Sequence, residues 1–276
     1  MFLKIDKFST KTIRELLEFY KLGKSNIYKL QQAKAISVND QIEDVNYRLQ
    51  KNDYLKIDIE KIDRQDGFVY AKDIDILYED EDILLVNKKA NILVHSDGVT
   101  LDTMASRVNY YYQQKKEITI ARPLHRLDFE TTGILLFSKN LLVHTYLSSL
   151  FTSREVEKEY ICLCKGRFLN SEGFIDSKIG RDRHQNKQRI SKTGKDAYTE
   201  YEVIDAYRDY SRVRVKIKGG RTHQIRVHMA SINHPIKGDI LYGDKPQDRL
   251  YLHFFKITFV HPRTLTPFMY TCKTPF

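Results

Sequence analysis

The apolar run Ile134-Leu-Leu-Phe137, with Gly133 in front of it, reads as a strand buried on both faces. The segment that feeds it, Arg122-Pro-Leu-His-Arg-Leu-Asp128-Phe-Glu-Thr-Thr-Gly133, has no periodicity and reads as an irregular connection. Pro123 fixes one dihedral there, and Thr131-Thr132-Gly133 offers hydroxyls and a permissive backbone for a tight bend. Asp128 lies two residues after Arg126 and three after His125. A carboxylate on a loop held against a rigid core strand suits catalysis. Capping a turn is the commoner fate of such an aspartate, and at this point both readings stand.

A length of 276 residues leaves room for about two domains. With 41% apolar and 30% charged residues, the composition is that of an ordinary globular chain. No run approaches the roughly 18 apolar residues that span a bilayer, so no membrane segment is expected. Residues 1–7 lack the pattern of a signal peptide, and a cytoplasmic location is expected. Cys162, Cys164 and Cys272 are too few for a disulfide framework. The first two alternate with Ile161 and Leu163 and point to one face of a strand, as a buried reduced pair. Of the net charge of +10, most of the excess in the larger part of the chain falls in Lys178–Lys195, with seven basic residues against one acid. Such a patch, containing Arg183, Lys187 and Arg189, suits a polyanion through counterion release. A merely solvated loop is the bland alternative.

Along the chain, residues 10–22 show helical spacing through Ile13, Leu16, Leu17 and Tyr20. Gly23 ends that helix, and Ser25 caps a second one through Ala35. A strand at Ile36–Asn39, a turn at Asp40-Gln41 and an alternating strand from Tyr54 to Ile59 complete a small unit. Residues 1–62 are therefore expected as one module, 63–72 as a polar linker, and 73–276 as the main domain. In the main domain a hairpin is expected around the acidic turn Glu79-Asp-Glu-Asp82. Thr100 and Asn140 are expected to cap helices. Strands are expected at Tyr160–Leu163, Tyr198–Ile204, Val213–Ile217, Leu250–Phe259 and Phe268–Cys272, with a helix over Thr222–Ile232. Frequent hairpins without regular βαβ alternation predict an α+β fold with a mainly antiparallel mixed sheet.

The first module resembles the small alpha-L RNA-binding module first named for a ribosomal small-subunit protein. The residues that carry the resemblance are Ile13-Arg-Glu-Leu-Leu, Gly23-Lys24-Ser25-Asn26-Ile27-Tyr28-Lys29-Leu30, Val38-Asn39 and Tyr54-Leu-Lys-Ile-Asp-Ile59. It implies that Lys24, Lys29 and also Arg14 face a phosphate backbone. Asp40-Gln41 stands where a Gly-Lys turn is usual.

A second informative stretch is Gly219-Gly220-Arg221-Thr222-His223-Gln224-Ile225-Arg226-Val227-His228. His223 and His228 are five apart, whereas helical metal pairs sit four apart, so no metal site is expected. Arg226 near a helix start is a poor partner for the macrodipole, which points to a specific acidic contact. Leu124-His-Arg-Leu-Asp128-x-x-Thr-Thr-Gly133-Ile-Leu-Leu-Phe-x-Lys139 resembles the signature of the RluA-type pseudouridine synthases. Gly220-Arg-Thr-His-Gln-Ile-Arg-Val-His228, with His234-Pro-Ile-x-Gly-Asp239-x-x-Tyr-Gly243, resembles their second signature. Val86-Asn-Lys88, Lys158-Glu-Tyr160, Gly194-Lys-Asp-Ala-x-Thr199 and Leu252-His253 match in order, so the resemblance covers about residues 73–276. Departures are Lys89-Ala-Asn91 where Pro-x-Gly is usual, Thr132 for a serine, and Phe254 where a small residue is common. Asn91 is able to take the left-handed conformation that the turn needs.

The resemblance implies an RNA pseudouridine synthase without a cofactor. Asp128 would be the catalytic carboxylate, Arg226 its partner, Tyr160 the stacking platform for uracil, and Arg126 the residue that enters the RNA to displace the nucleotide. A structured RNA partner is expected, ribosomal RNA ahead of transfer RNA, with the protein as a monomer. Those residue types suit the task. Uridine must break the bond from N1 to the anomeric carbon and reattach through C5 with no redox change, and a carboxylate serves as nucleophile or base. A tyrosine supplies a flat face and a hydroxyl able to relay a proton. Taking a base out of its stack costs a few kcal/mol, which contacts elsewhere must offset. On residues alone, Tyr160 is equally a plain strand tyrosine, Arg126 a partner for Glu130, and His125 and His223 scaffold. The rival function is an RNA-binding or ribosome-assembly factor on a catalytically silent synthase fold. A nucleoside hydrolase, which would release uracil, is a third.

Overall fold

The computed structural model describes residues 1–6, 11–63, 67–183 and 185–276. The first residue of the expected helix at 10–22 and residues 64–66 of the expected linker lie outside them. The chain begins with β1 (Phe2–Lys4), α1 (Ile13–Phe19), α2 (Lys24–Gln32), β2 (Ile36–Val38), β3 (Gln41–Ile42) and β4 (Tyr54–Ile57), the strands forming a sheet in the order β1-β4-β2-β3. α1 starts where Thr12 and Glu15 close a reciprocal capping box. Gly23, expected to end this helix, is instead the N-cap of α2, and Ser25 lies inside it. The β2–β3 turn is Asn39-Asp40 rather than Asp40-Gln41. Both central residues have positive φ (50° and 66°), the backbone of a primed turn.

The larger part runs β5 (Ile76–Glu79), β6 (Ile83–Lys88), α3 (Met104–Gln114), β7 (Arg122–Pro123), β8 (Thr132–Ser138), α4 (Leu141–Ser153) and β9 (Glu157–Lys165). It continues through β10 (Glu172–Asp176), β11 (Ile179–Arg181), β12 (Gln188–Ile190), β13 (Tyr198–Ala206), β14 (Tyr210–Lys218), α5 (Gln224–Ser231), β15 (Leu252–Val260) and β16 (Pro267–Thr271). One sheet carries the order β10-β13-β14-β9-β15-β8-β6-β5, with β16 beside β15 and β7 beside β8, while β11 and β12 form a separate hairpin. All these pairings are antiparallel except β15 with β8. The fold is thus the α+β, mainly antiparallel arrangement that the strand pattern predicts.

β8 is buried along its whole length. Leu135 and Phe137 pack with Met104, Val108 and Tyr112 of α3, whereas Ile134 and Leu136 pack on the opposite side with Leu142, Val143 and Leu147 of α4. Two-residue periodicity thus sends alternate side chains into two separate apolar layers. Asn140 caps α4 as expected, its side chain accepting from Val143 N–H. The cap of α3 is Thr103, not Thr100, because Asp97 engages both the amide and the hydroxyl of Thr100. α5 starts at Gln224, two residues later than expected, since His223 takes a left-handed conformation. Cys162 and Cys164 are buried free thiols on one face of β9, their sulfurs 3.4 Å apart. No helix among the described residues is long and apolar enough to cross a membrane.

Gly133 sits between Lys88 of β6 and Phe254 of β15 in the register. Its φ is +114°, and an added Cβ would lie 2.6 Å from the Phe254 amide nitrogen. Gly133→Ala therefore combines backbone strain with a clash against main chain that cannot move aside. A loss of more than about 3 kcal/mol in denaturant unfolding is expected. A loss below about 1 kcal/mol would contradict the close approach.

Candidate active site

Asp128 lies on the loop between β7 and β8, where its side chain is 27% exposed. A buried cation ties this loop down. Lys88 Nζ donates to the carbonyls of Phe129 (2.9 Å), Thr131 (2.8 Å) and Lys89 (3.0 Å). Those three acceptors match the three N–H of an ammonium. Burial pulls the Lys88 pKa down to about 7, against the opposing pull of the Asp128 charge. Asn91, with φ 61°, takes the left-handed turn expected of it and donates its backbone N–H to the Phe129 carbonyl. His125 accepts from the Leu136 N–H and stacks on Phe151, and burial lowers its pKa to about 3. It is a neutral scaffold group, as expected.

Arg226 reaches the same place from α5. Nε and Nη2 each donate 2.8 Å to one oxygen of Asp239, a bidentate pair with 5% and 0% side-chain exposure. The acidic contact inferred from the position of Arg226 exists, but its nearest partner is Asp239. Asp128 is the second acid, with Oδ2 3.8 Å from Nη1. Glu130 lies 3.4 Å from Nη2, so it faces Arg226 and not Arg126, the partner of the alternative reading. Other residues of the motif hold the helix. Gln224 donates to Tyr198 O and Thr199 Oγ1, while His228 bridges Thr199 Oγ1 and Ser177 O. His223 faces the opposite way, with Nε2 3.9 Å from Asp128 Oδ2. The two histidines thus diverge, as their spacing indicated.

Tyr160 extends from β9, buried, with one ring face stacked on Phe254 at 4.6 Å and 12°. Burial and the nearby Asp128 charge raise its pKa, keeping the hydroxyl protonated at neutral pH. Asp128, Tyr160 and Arg226 together line one small hollow of about 80 Å³, with Ile217 and Leu252 among its apolar walls. Two wider cavities, of about 700 and 900 Å³, share Arg126 and Asp128 with it. Exposed Arg126 and His95 border both cavities. Arg183 and Arg189 are exposed and Lys187 half-buried on the β11–β12 hairpin, which the sequence did not reveal as strands. Lys24 and Lys29 are exposed on α2. Reasoning from sequence assigned no task to Asp239 or Lys88. For Asp239 the available signal was Arg226 at the start of a helix, 13 residues before it, since a buried guanidinium requires an acid.

The fold is that of a pseudouridylate synthase. The solved structure titled human RNA pseudouridylate synthase domain containing 1 superposes with a TM-score of 0.64 at 26% identity, covering 77% of this chain and 87% of that one. The model of the family described as RNA pseudouridylate synthase matches residues 82–231, more than half of the sequence. The uncharacterized RNA pseudouridine synthase YhcT of Bacillus subtilis is 36% identical over 87% of this chain and 81% of its own length. Ribosomal large subunit pseudouridine synthase D of Haemophilus ducreyi is 37% identical over 63% of this chain and 54% of its own length. The chain belongs to the RNA pseudouridine synthase family, isomerases that act on RNA, and to its RluA type.

Asp239→Ala would leave the Arg226 guanidinium buried without its nearest partner. The expected loss is about 3–5 kcal/mol in chemical denaturation. A variant as stable as the parent would show that water or Glu130 replaces the pair.

Proposed function

We propose that this protein isomerises uridine to pseudouridine in structured ribosomal RNA, with Asp128 as the catalytic carboxylate. The observation that carries the assignment is the convergence of Asp128, Tyr160 and Arg226 on one hollow. Uracil would stack on the free face of Tyr160, opposite Phe254. Asp128 would attack as a nucleophile or act as a base while the bond from C1′ to N1 breaks and that from C1′ to C5 forms. The proton leaving C5 passes to solvent, and N1 gains one, so the exchange balances without a cofactor. Arg226, held by Asp239, orients the carboxylate. Exposed Arg126, at the border of both cavities, would enter the RNA as the nucleotide leaves its stack.

RNA grip is assigned to Arg183, Lys187 and Arg189 on the basic hairpin and to Lys24 and Lys29 on α2. Residues 1–62 would act as an accessory RNA-binding module, joined by 63–72 to the catalytic domain at 73–276. The working form is proposed to be a monomer. Ribosomal RNA as substrate is supported by the name of the Haemophilus ducreyi relative and would place the work in the cytoplasm.

Ribosomal RNA transcribed with uridine tritiated at C5 tests the chemistry, since only reattachment at C5 releases that hydrogen. Asp128→Ala is expected to slow release by about 10⁴-fold or more with RNA affinity retained. Equal absence of release from wild type and variant would favour the silent binding factor, and free uracil would favour a hydrolase. Neutralising Arg183, Lys187 and Arg189 together should weaken binding and reduce the slope of log affinity against log salt by about two to three. An unchanged slope would remove the hairpin from the RNA surface.

A further inference from the structure

A continuous chain of polar contacts connects the basic hairpin to Asp128. Gln188 opens β12 between Lys187 and Arg189, and its backbone N–H donates to Tyr242 Oη at 3.0 Å. Tyr242 Oη lies 2.8 Å from His223 Nδ1. The other ring nitrogen of His223 faces Asp128 Oδ2 at 3.9 Å, an electrostatic contact longer than a hydrogen bond. Tyr242 accepts from Gln188 and keeps its own proton to give; with that proton donated to Nδ1, Nε2 carries the hydrogen that points at the carboxylate.

We propose that Tyr242 and His223 are positioning residues, a relay by which RNA seated on the basic hairpin sets the orientation of the Asp128 carboxylate. This rests on Asp128 being the catalytic group. Two further observations support it. His223 is held in the left-handed region (φ 56°, ψ 22°), a conformation that a histidine adopts at a cost and that packing must impose. Burial also lowers the His223 pKa, which favours the neutral ring that the relay requires. The groups around that ring are Asp128 and Glu130 on the loop before β8, Arg226 on its own helix, and Asp239 and Tyr242 in the turn after α5. His95, Asp97 and Arg126 stand across the shared cavity. Contacts of catalytic groups are commonly long before substrate binds and tighten in the complex, so 3.9 Å is a distance that RNA binding would shorten.

Tyr242→Phe removes one hydroxyl. It retains the ring that lies edge-on to His223 and under the Arg226 guanidinium at 5.3 Å. The test is single-turnover tritium release from the same labelled ribosomal transcript at saturating enzyme, from pH 5.5 to 8.5, together with RNA affinity. The expected result is a rate about ten-fold lower, with affinity unchanged within about two-fold. The acid limb of the rate profile should also move to higher pH. The sign follows from the hydroxyl: donating to Nδ1 it stabilises the neutral ring, so without it His223 protonates more readily and its cation pairs with the carboxylate. A wild-type rate and profile would overturn the relay. A slower variant with an unmoved acid limb would also overturn it, because a packing defect alone does that, as would a defect cancelled by more enzyme. Asp128→Asn, assayed alongside, separates the two claims: full turnover by that variant would sink the assignment of Asp128 whatever Tyr242→Phe does.

Discussion

The Arg226–Asp239 pair is the contact on which the geometry around the hollow depends. Desolvating a guanidinium and a carboxylate together is costly, and two parallel N–H···O bonds are what make it tolerable. They also leave no rotational freedom, so the remaining nitrogen, Nη1, points at Asp128. The helix that presents Arg226 is itself pinned by Gln224 and His228 to β13 and to Ser177. A line of buried polar contacts thus runs from the sheet, through a short helix, to the proposed catalytic carboxylate.

Asp128 is constrained from the other side by Lys88. Its ammonium satisfies carbonyls that the irregular loop before β8 cannot pair internally, and buried carbonyls without partners are costly. Lys88 can do this because β6 lies directly beside β8, with Gly133 opposite it in the register. The same glycine lets the main chain of β15 approach, which brings Phe254 under the Tyr160 ring. One close approach in the sheet therefore serves both the loop that bears the carboxylate and the aromatic platform that faces it.

Legibility followed chemistry that is local in the chain. The two-sided burial of β8 was readable from four consecutive apolar residues, as was the cap at Asn140. The left-handed turn at Asn91 was readable because asparagine tolerates that backbone. The start of α5 was not, since nothing in a histidine announces a left-handed residue; its contacts with Tyr242 and Asp128 accompany it only in the fold. The cap of α3 was misplaced because Asp97 competes for Thr100, and nearby sequence alone does not decide between two threonines. The β11–β12 hairpin escaped notice because its strands are short and largely charged, with no alternation of apolar residues to reveal them.

By itself the sequence determined the class of fold, the family, and the identity of the residues around the hollow, since these lie in short runs whose spacing is readable. Only the tertiary structure decided how they are partnered: that Arg226 belongs first to Asp239, that Lys88 holds the loop, and that His223 turns toward Asp128 while His228 turns away. The physical reason is that charge pairing and hydrogen-bond geometry depend on distances of a few ångströms between segments far apart in the chain. Periodicity and motif carry no information about those distances.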